Sequence, residues 1–348
     1  MIVSRRSLLT SALALGAMHA FPRLTLAQAR RLVFATFTGS WEEAHKDVLV
    51  PAFRKANNNA EITLDPMLSM DQIAKVKAAL QNPPIDVMLH DPGPALQAID
   101  QGLVEPFPVA KSQYYKDLIA DAQEPMGPAP FFQVVGITYN PDKIKKPPTS
   151  WADIWKPEYK GRVGITNLNS TLGTGWLVEV ARMRGGSEAD VEAGFKAIEE
   201  LKPNLAAVAA NPGQLATLYQ QGQIDIGPGN FNAIQILKAR GVPVEFVAPK
   251  EGAIAFKTTI HIVKNSPNVE LAAKLIDASL APEVQAKLME SPYLIVPTNT
   301  KVKMAGEIAR ALAKDHADMK KKFVFQDWKK INEHRASWIE RFNRDIKI

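Results

Sequence analysis

The chain has 348 residues, 42 Lys+Arg against 36 Asp+Glu, and no cysteine. Thiol catalysis, disulfide staples and cysteine-ligated metals are thereby excluded, so stability must come from buried apolar area, which a chain of this length supplies in two lobes more readily than in one core. Beyond Ala29 the balance is 39 basic to 36 acidic residues, without the concentrated basic face of a nucleic-acid binder, and no nucleic-acid partner is expected.

The N-terminal segment carries paired arginines, Arg5 and Arg6, before an apolar run that ends near Met18, and Ala27-Gln28-Ala29 then has the small-x-small pattern of a cleavage site. The run is far shorter than the roughly 20 residues that cross a bilayer. Residues 1–29 are therefore expected to be a cleaved export signal that delivers a mature chain, starting near Arg30, to the periplasm. The arginine pair is similar to a twin-arginine signal, but Leu8 stands where that signal usually carries Phe, so the general secretory route stays open.

From residue 31 onward strands alternate with helices. "RLVFATF" (31–37) reads as a strand, and "SWEEAHKDVLVPAFRKANN" follows with a Ser N-cap, acids in its first turn and apolar residues at helical spacing. "AEITLDPM" before "MDQIAKVKAALQN", "IDVMLH" before "GPALQAIDQG", and "IDIGPG" before "NAIQILKARG" repeat the unit. The alternation predicts an α/β fold, with central, largely parallel sheets flanked by helices. Ligands in such sheets bind beyond the carboxyl ends of strands, which points to the loops at 38–41, 90–93 and 228–230. "KDHADMKKKF" (314–323) reads as a solvated helix face.

"NLNSTLGTGW" (167–176) places hydroxyls, asparagines and glycines ahead of a helix. One reading is an anion site, in which glycines admit a ligand to the unpaired N–H groups of the helix start. The other is a polar loop whose Ser or Thr caps the helix. Asp91, in "LHDPGP", is open in the same way: it can receive an ammonium group, or it can shape the turn before Pro92.

"SWADIWKPEYKG" (150–161) followed by "RVGIT" closely resembles a segment of periplasmic polyamine-binding proteins and their relatives, the solute-binding components of ABC importers. "DQGLVEPF" (100–107), "ITYNPDKI" (137–144), "VAPKEGAIAF" (247–256) and "SWIERFNRDI" (337–346) extend the resemblance over nearly the whole mature chain. It implies a two-lobed periplasmic binding protein fold of type II, with crossing strands near "FFQVVGITYN" and "FKTTIHIV" and a ligand cleft at the hinge. One lobe would comprise residues 30–137 with 258–298, the other 138–257 with 299–348. Trp151 and Trp155 would pack the second lobe without touching ligand.

By the same resemblance the cleft would be lined by Phe37, Thr38 and Ser40 after the first strand, Asp91, the loop residues Asn169, Ser170, Thr171, Gly173 and Gly175, Asn230, and Phe256, Lys257 and Thr258 at the second crossing. Phe37 and Phe256 match aromatic positions that sandwich polyamines in the family. The family's acids do not recur: Asn167–Thr171 and Lys257-Thr258 stand where polyamine binders carry carboxylates, and Asn230 stands near a family tryptophan.

The resemblance thus implies an extracytoplasmic receptor that captures a small organic anion or zwitterion, of amino-acid, opine or phosphonate type, and delivers it as a monomer to an inner-membrane ABC permease with a cytoplasmic ATPase. A polyamine-binding protein is the alternative. His45, His90, His261, His316 and His334 show no ligand spacing, and the paired tyrosines Tyr114 and Tyr115 lack the placement used by iron-binding relatives, so no metal or cofactor is expected. An exported hydrolase is the remote rival; no serine has a nucleophile-elbow setting and no glycine loop ends in Gly-Lys-Ser/Thr, so no enzyme is expected. Sequencing of the exported protein should begin at or near Arg30. Replacing Arg5 and Arg6 with Lys should block export if the twin-arginine route is used and leave it unchanged if the general route is.

Overall fold

The computed structural model describes residues 31–346, so the expected signal at 1–29 lies outside the described residues. The strands are β1 (Leu32–Thr36), β2 (Ile62–Pro66), β3 (Val87–His90), β4 (Val104–Glu105), β5 (Phe131–Tyr139), β6 (Val163–Thr166), β7 (Leu205–Ala209), β8 (Ile226–Asn230), β9 (Glu245–Val247), β10 (Ala253–Val263), β11 (Val296–Pro297) and β12 (Phe323–Val324). The helices are α1 (Ser40–Ala44), α2 (Val50–Ala56), α3 (Ser69–Ala78), α4 (Pro92–Asp100), α5 (Thr171–Met183), α6 (Glu192–Leu201), α7 (Pro212–Gln220), α8 (Phe231–Ala239), α9 (Val269–Leu280), α10 (Pro282–Met289), α11 (Gly306–Ala311), α12 (His316–Lys322) and α13 (Trp328–Asp345). The expected strand–helix units are all present. The stretch after β1, which reads as one helix, coils continuously but widens into π turns over His45–Leu49, just before Pro51. Proline has no N–H for the regular helical bond, and wider turns accommodate such a break.

The strands join in the order β2-β1-β3-β10-β5-β8-β6-β7. The β1–β2, β1–β3, β6–β7 and β6–β8 pairs are parallel, whereas β10 and β5 run antiparallel to their neighbours in this order and to each other; the short β12 pairs with β10 in parallel. Each of these two long strands serves both halves: in β10, Thr259–Ile262 pair with β3 and Ile254–Thr258 pair with β5, whose Val135–Tyr139 go on to pair with β8. These are the two stretches expected to cross.

One apolar core gathers β1, β3, the segment around Phe107–Phe131, and α9 and α10 with Leu275, Ile276 and Leu288. Another gathers β6, α5, α6 and α13, with Trp151 and Trp176 fully buried. Trp155 stacks on Trp176 at a centroid distance of 5.7 Å and donates its indole N–H to the Ala197 carbonyl at 2.7 Å, so both tryptophans of the "SWADIW" stretch are packing residues. Residues 294–323, which the lobe scheme divides between the two lobes at 298, form a third cluster with Phe132, Val134, Ala253 and Ala255 on one face of the crossing strands. Lys320, Lys321 and Lys322 on α12 are exposed.

The glycines of "LGTGW" lie inside α5, and the space beside them is filled by protein. A Cβ at Gly173 would sit 2.2 Å from the Asn167 carbonyl oxygen, and one at Gly175 would sit 2.6 Å from the Phe256 ring. They let the helix start press against the end of β6 and the ring of Phe256, in place of the ligand approach expected from the sequence. Gly173→Ala should therefore lower the melting temperature, by about 1–3 kcal/mol of stability, because the obstructing atom is backbone and cannot swing away. A thermal denaturation comparison checks this.

Candidate functional site

The ends of β1, β3, β6 and β8 open on a cavity of about 220 Å³. This lies below the roughly 300–1,000 Å³ of drug-sized pockets, so the space suits a small molecule. Phe37, Trp41 and Phe256 supply apolar rings to its wall, and Gly39 turns the loop after β1 with φ 70°, a conformation that L side chains rarely adopt. The starts of α3, α4, α5, α7 and α8 all reach the cavity through Ser69, Pro94, Thr171, Pro212 and Asn232 among others. This convergence follows from strand direction: each helix begins where its parallel strand ends. Together these helix starts direct partial positive charge at the cavity.

Among the residues that line the cavity only Glu43, Asp91 and Arg240 are charged. Glu43 and Arg240 pair with each other at 2.7 Å across the mouth, and beside them the Asn232 amide donates to the Ser40 hydroxyl at 3.2 Å. Asp91 is the one cavity carboxylate without a salt bridge among the described residues. Burial pushes its pKa up, while the Thr171 hydroxyl, the Gln133 amide and the Arg335 guanidinium oppose that shift.

Asp91 is held by Gln133, the third residue of β5, whose Nε2 donates to Asp91 Oδ1 at 2.6 Å and to Thr258 Oγ1 at 3.1 Å. Gln133 Oε1 in turn accepts from Asn230 Nδ2 at 3.0 Å. One amide on a crossing strand thereby ties the end of β3 to the end of β8. Gln133 is not among the residues expected from the sequence to line the cleft. Its signal was available: a lone amide inside "FFQVVGITY", a strand buried along its whole length, must find hydrogen-bond partners.

In the loop before α5, Ser170 is the N-cap. Its Oγ accepts from the Gly173 N–H at 3.0 Å and donates to Thr166 Oγ1 at 2.9 Å, so the capping reading holds for this hydroxyl even though Ser170 also borders the cavity. Arg335, on α13, braces the loop from behind by donating to the Asn169 carbonyl at 2.9 Å and to Thr174 Oγ1 at 3.2 Å. Burial lowers its pKa to about 10, still far above neutrality. Arg335 also escaped the sequence analysis, although it occupies an apolar-face position in the series Trp328, Ile331, Arg335, Trp338, Phe342.

Of the expected site residues, Phe37, Thr38, Ser40, Asp91, Asn169, Ser170, Thr171, Asn230 and Phe256 come together around the cavity. Gly173 and Gly175 lie beneath it in α5, and Thr258 is buried below Gln133. Lys257 does not reach it. Side chains alternate along β10, so with Phe256 turned to the cavity Lys257 faces the opposite side, where it pairs with Glu124 and donates to the Asp121 carbonyl at 3.1 Å. Among the scattered histidines, His45 is a core residue bonded to Thr36 Oγ1 at 2.6 Å, and His261 spans the Met126 carbonyl and Thr259. Burial lowers their pKa values to about 3 and about 4. Among the described residues no group of three or more His, Asp or Glu is placed to hold a metal ion, and no helix is long and apolar enough to cross a membrane.

Residues 49–320 match the family described as bacterial extracellular solute-binding protein. A spermidine/putrescine-binding periplasmic protein of Salmonella typhimurium is 35% identical over 165 residues, 44% of this chain and 44% of that relative, so the chain matches under half the length of that protein. A gamma-aminobutyric acid-binding protein of Pseudomonas aeruginosa is 24% identical over 322 residues, covering 84% of this chain and 88% of the relative. In three dimensions a periplasmic binding protein of A. tumefaciens, solved with agropinic acid, superposes with a TM-score of 0.77 at 20% identity, covering 90% of this chain and 98% of that one. The chain belongs to the bacterial extracellular solute-binding protein family, and its α/β architecture is that of the periplasmic binding proteins.

Proposed function

We propose that this chain is a periplasmic receptor of an ABC importer, a carrier and not an enzyme, which captures a small organic zwitterion or anion between two lobes and presents the closed form to an inner-membrane permease. The lobes are the two units on either side of β5 and β10, and closure brings α1 against α8, the contact made by Glu43–Arg240 and Ser40–Asn232. The observation that carries the reading is the composition of the cavity: five helix starts, hydroxyls and amides around one carboxylate that forms no salt bridge among the described residues. Such a wall suits a ligand with one ammonium group and one anionic group. Lys257 takes no part, and the anionic group is served by N–H groups and hydroxyls instead.

The similarity to a spermidine/putrescine-binding protein supports a second reading, a polyamine receptor. A triply charged spermidine would, however, leave two ammonium groups without carboxylates, because Glu43 is already engaged by Arg240. A thermal-shift screen of the mature protein against amino acids, opines, phosphonates, amines and polyamines separates the two. At about 100 times its dissociation constant a ligand adds roughly 2.7 kcal/mol, so a zwitterion should raise the melting temperature by several degrees and spermidine should not.

Variants sharpen the test. Thr171→Val should weaken ligand binding by about 0.5–3 kcal/mol. Ser170→Ala should lower stability by about 0.5–2 kcal/mol through loss of the cap. Lys257→Met should leave ligand affinity within about 0.5 kcal/mol of the parent, because the side chain faces away from the cavity. Calorimetry and melting curves on each variant distinguish these effects, and tight spermidine binding by the parent protein would favour the polyamine reading.

A further inference from the structure

The polarity of the cavity floor is set by a chain of hydrogen bonds that starts at one group. Asp91 Oδ1 accepts from the Gln133 NH₂, which turns the Gln133 carbonyl toward Asn230. Asn230 must answer with its own NH₂. Its Oδ1 is then left over: buried, on a residue that borders the cavity, and without a hydrogen-bond partner among the described residues. With either amide turned over, two acceptors or two donors would face each other along the chain. The NH₂ of Gln133 is used up on Asp91 and Thr258, so the floor offers the ligand acceptors and no free amide donor from this residue.

From this we infer that Gln133 is the residue that fixes ligand polarity: it presents Asp91 and Asn230 Oδ1 as paired acceptors for one primary ammonium group, and so selects ω-amino acids and aminophosphonates over both their des-amino analogues and diamines. The inference rests on the receptor reading above and names the substrate class of that site. A primary ammonium has three N–H donors; the Asp91 carboxylate takes one as a charge pair and Asn230 Oδ1 takes another. A carboxylate or phosphonate placed on the same floor would set acceptor against acceptor. The anionic end must therefore point away from this floor, toward the start of α7 at Pro212 and Gly213, the one of the five helix starts on the cavity wall with no bond to Asp91, Gln133 or Asn230 among the described residues. A diamine has a second ammonium group that meets this helix start, where partial charge is of its own sign.

The experiment titrates the mature protein by calorimetry with γ-aminobutyrate, 2-aminoethylphosphonate, butyrate, ethylphosphonate and putrescine, in the parent chain and in Gln133→Met and Asn230→Ala. In the parent chain at least one amino compound should bind at least about 100-fold tighter than its des-amino partner and than putrescine, since a buried acceptor left unpaired is heavily penalised. Gln133→Met should lower affinity for that amino compound on the order of 10-fold or more while leaving the weak binding of the des-amino partner unchanged, so the selectivity collapses. Asn230→Ala, which keeps Gln133 and Asp91 together, should reduce the same selectivity and, because it leaves Gln133 Oε1 without its donor, also lower the melting temperature. Equal losses for both partners in Gln133→Met would make Gln133 a packing residue and overturn the inference. So would a parent chain that binds the des-amino compound or putrescine as tightly as the amino compound. If no member of the panel binds the parent chain, the small-zwitterion reading falls and the inference falls with it.

Discussion

The antiparallel pairing of β5 with β10 is the constraint from which the rest of the molecule follows. Pairing Gln133 with Phe256, and Phe131 with Thr258, locks two long strands into one register, and each strand then enters the parallel set of the opposite half. Because the strand repeat is two residues, this register assigns every side chain on both strands to a face. Gln133 and Phe256 fall on the cavity side; Phe132, Val134, Ala255 and Lys257 fall on the other, where residues 294–323 and the Glu124 pair cover them. A slip of one residue would exchange the amide for a phenylalanine and bring a lysine into the cavity.

That register also decides how polar groups are managed in a largely apolar interior. The crossing strands carry one amide where everything around it is buried, and the amide is satisfied at three points by groups from three other strands or strand ends. Lone buried polar groups are expensive, but a connected set strengthens itself in a low-dielectric setting. The same connection joins the two halves of the sheet through side chains as well as backbone, directly beneath the cavity. Arg335 does comparable service from the far side of α5: a buried cation whose donors are taken up by carbonyls of the 168–169 loop, which keeps that loop fixed at the cavity edge.

The start of α5 shows how one short stretch meets two demands. The Ser170 hydroxyl is committed to the helix although the residue borders the cavity, the glycines are committed to close packing against β6 and Phe256, and Asn169, Thr171 and Leu172 line the cavity beside them. Helix cap and cavity wall are therefore divided among the residues of this stretch. A helix that begins at the end of a parallel strand has its unpaired N–H groups at the ligand cleft by construction, so the cap and the cleft wall share the same few residues.

The local units were legible in the sequence because they rest on local physics. Apolar spacing at two or at 3.6 residues, the Ser170 cap and the alternation of strand with helix point to the α/β class and to most of the loops that line the cavity. The motif "SWADIWKPEYKG" identified the family, since it records ancestry independently of the site. Tertiary structure alone decided three things. It put Lys257 on the face away from the cavity, because parity along β10 is set by pairing with β5 and not by composition. It gave Gly173 and Gly175 to packing, because what lies beside a glycine depends on which strand and ring the fold brings there. And it made Gln133 the centre of the floor, because the partners that give that amide a direction are 42 residues before it and 97 and 125 residues after it along the chain.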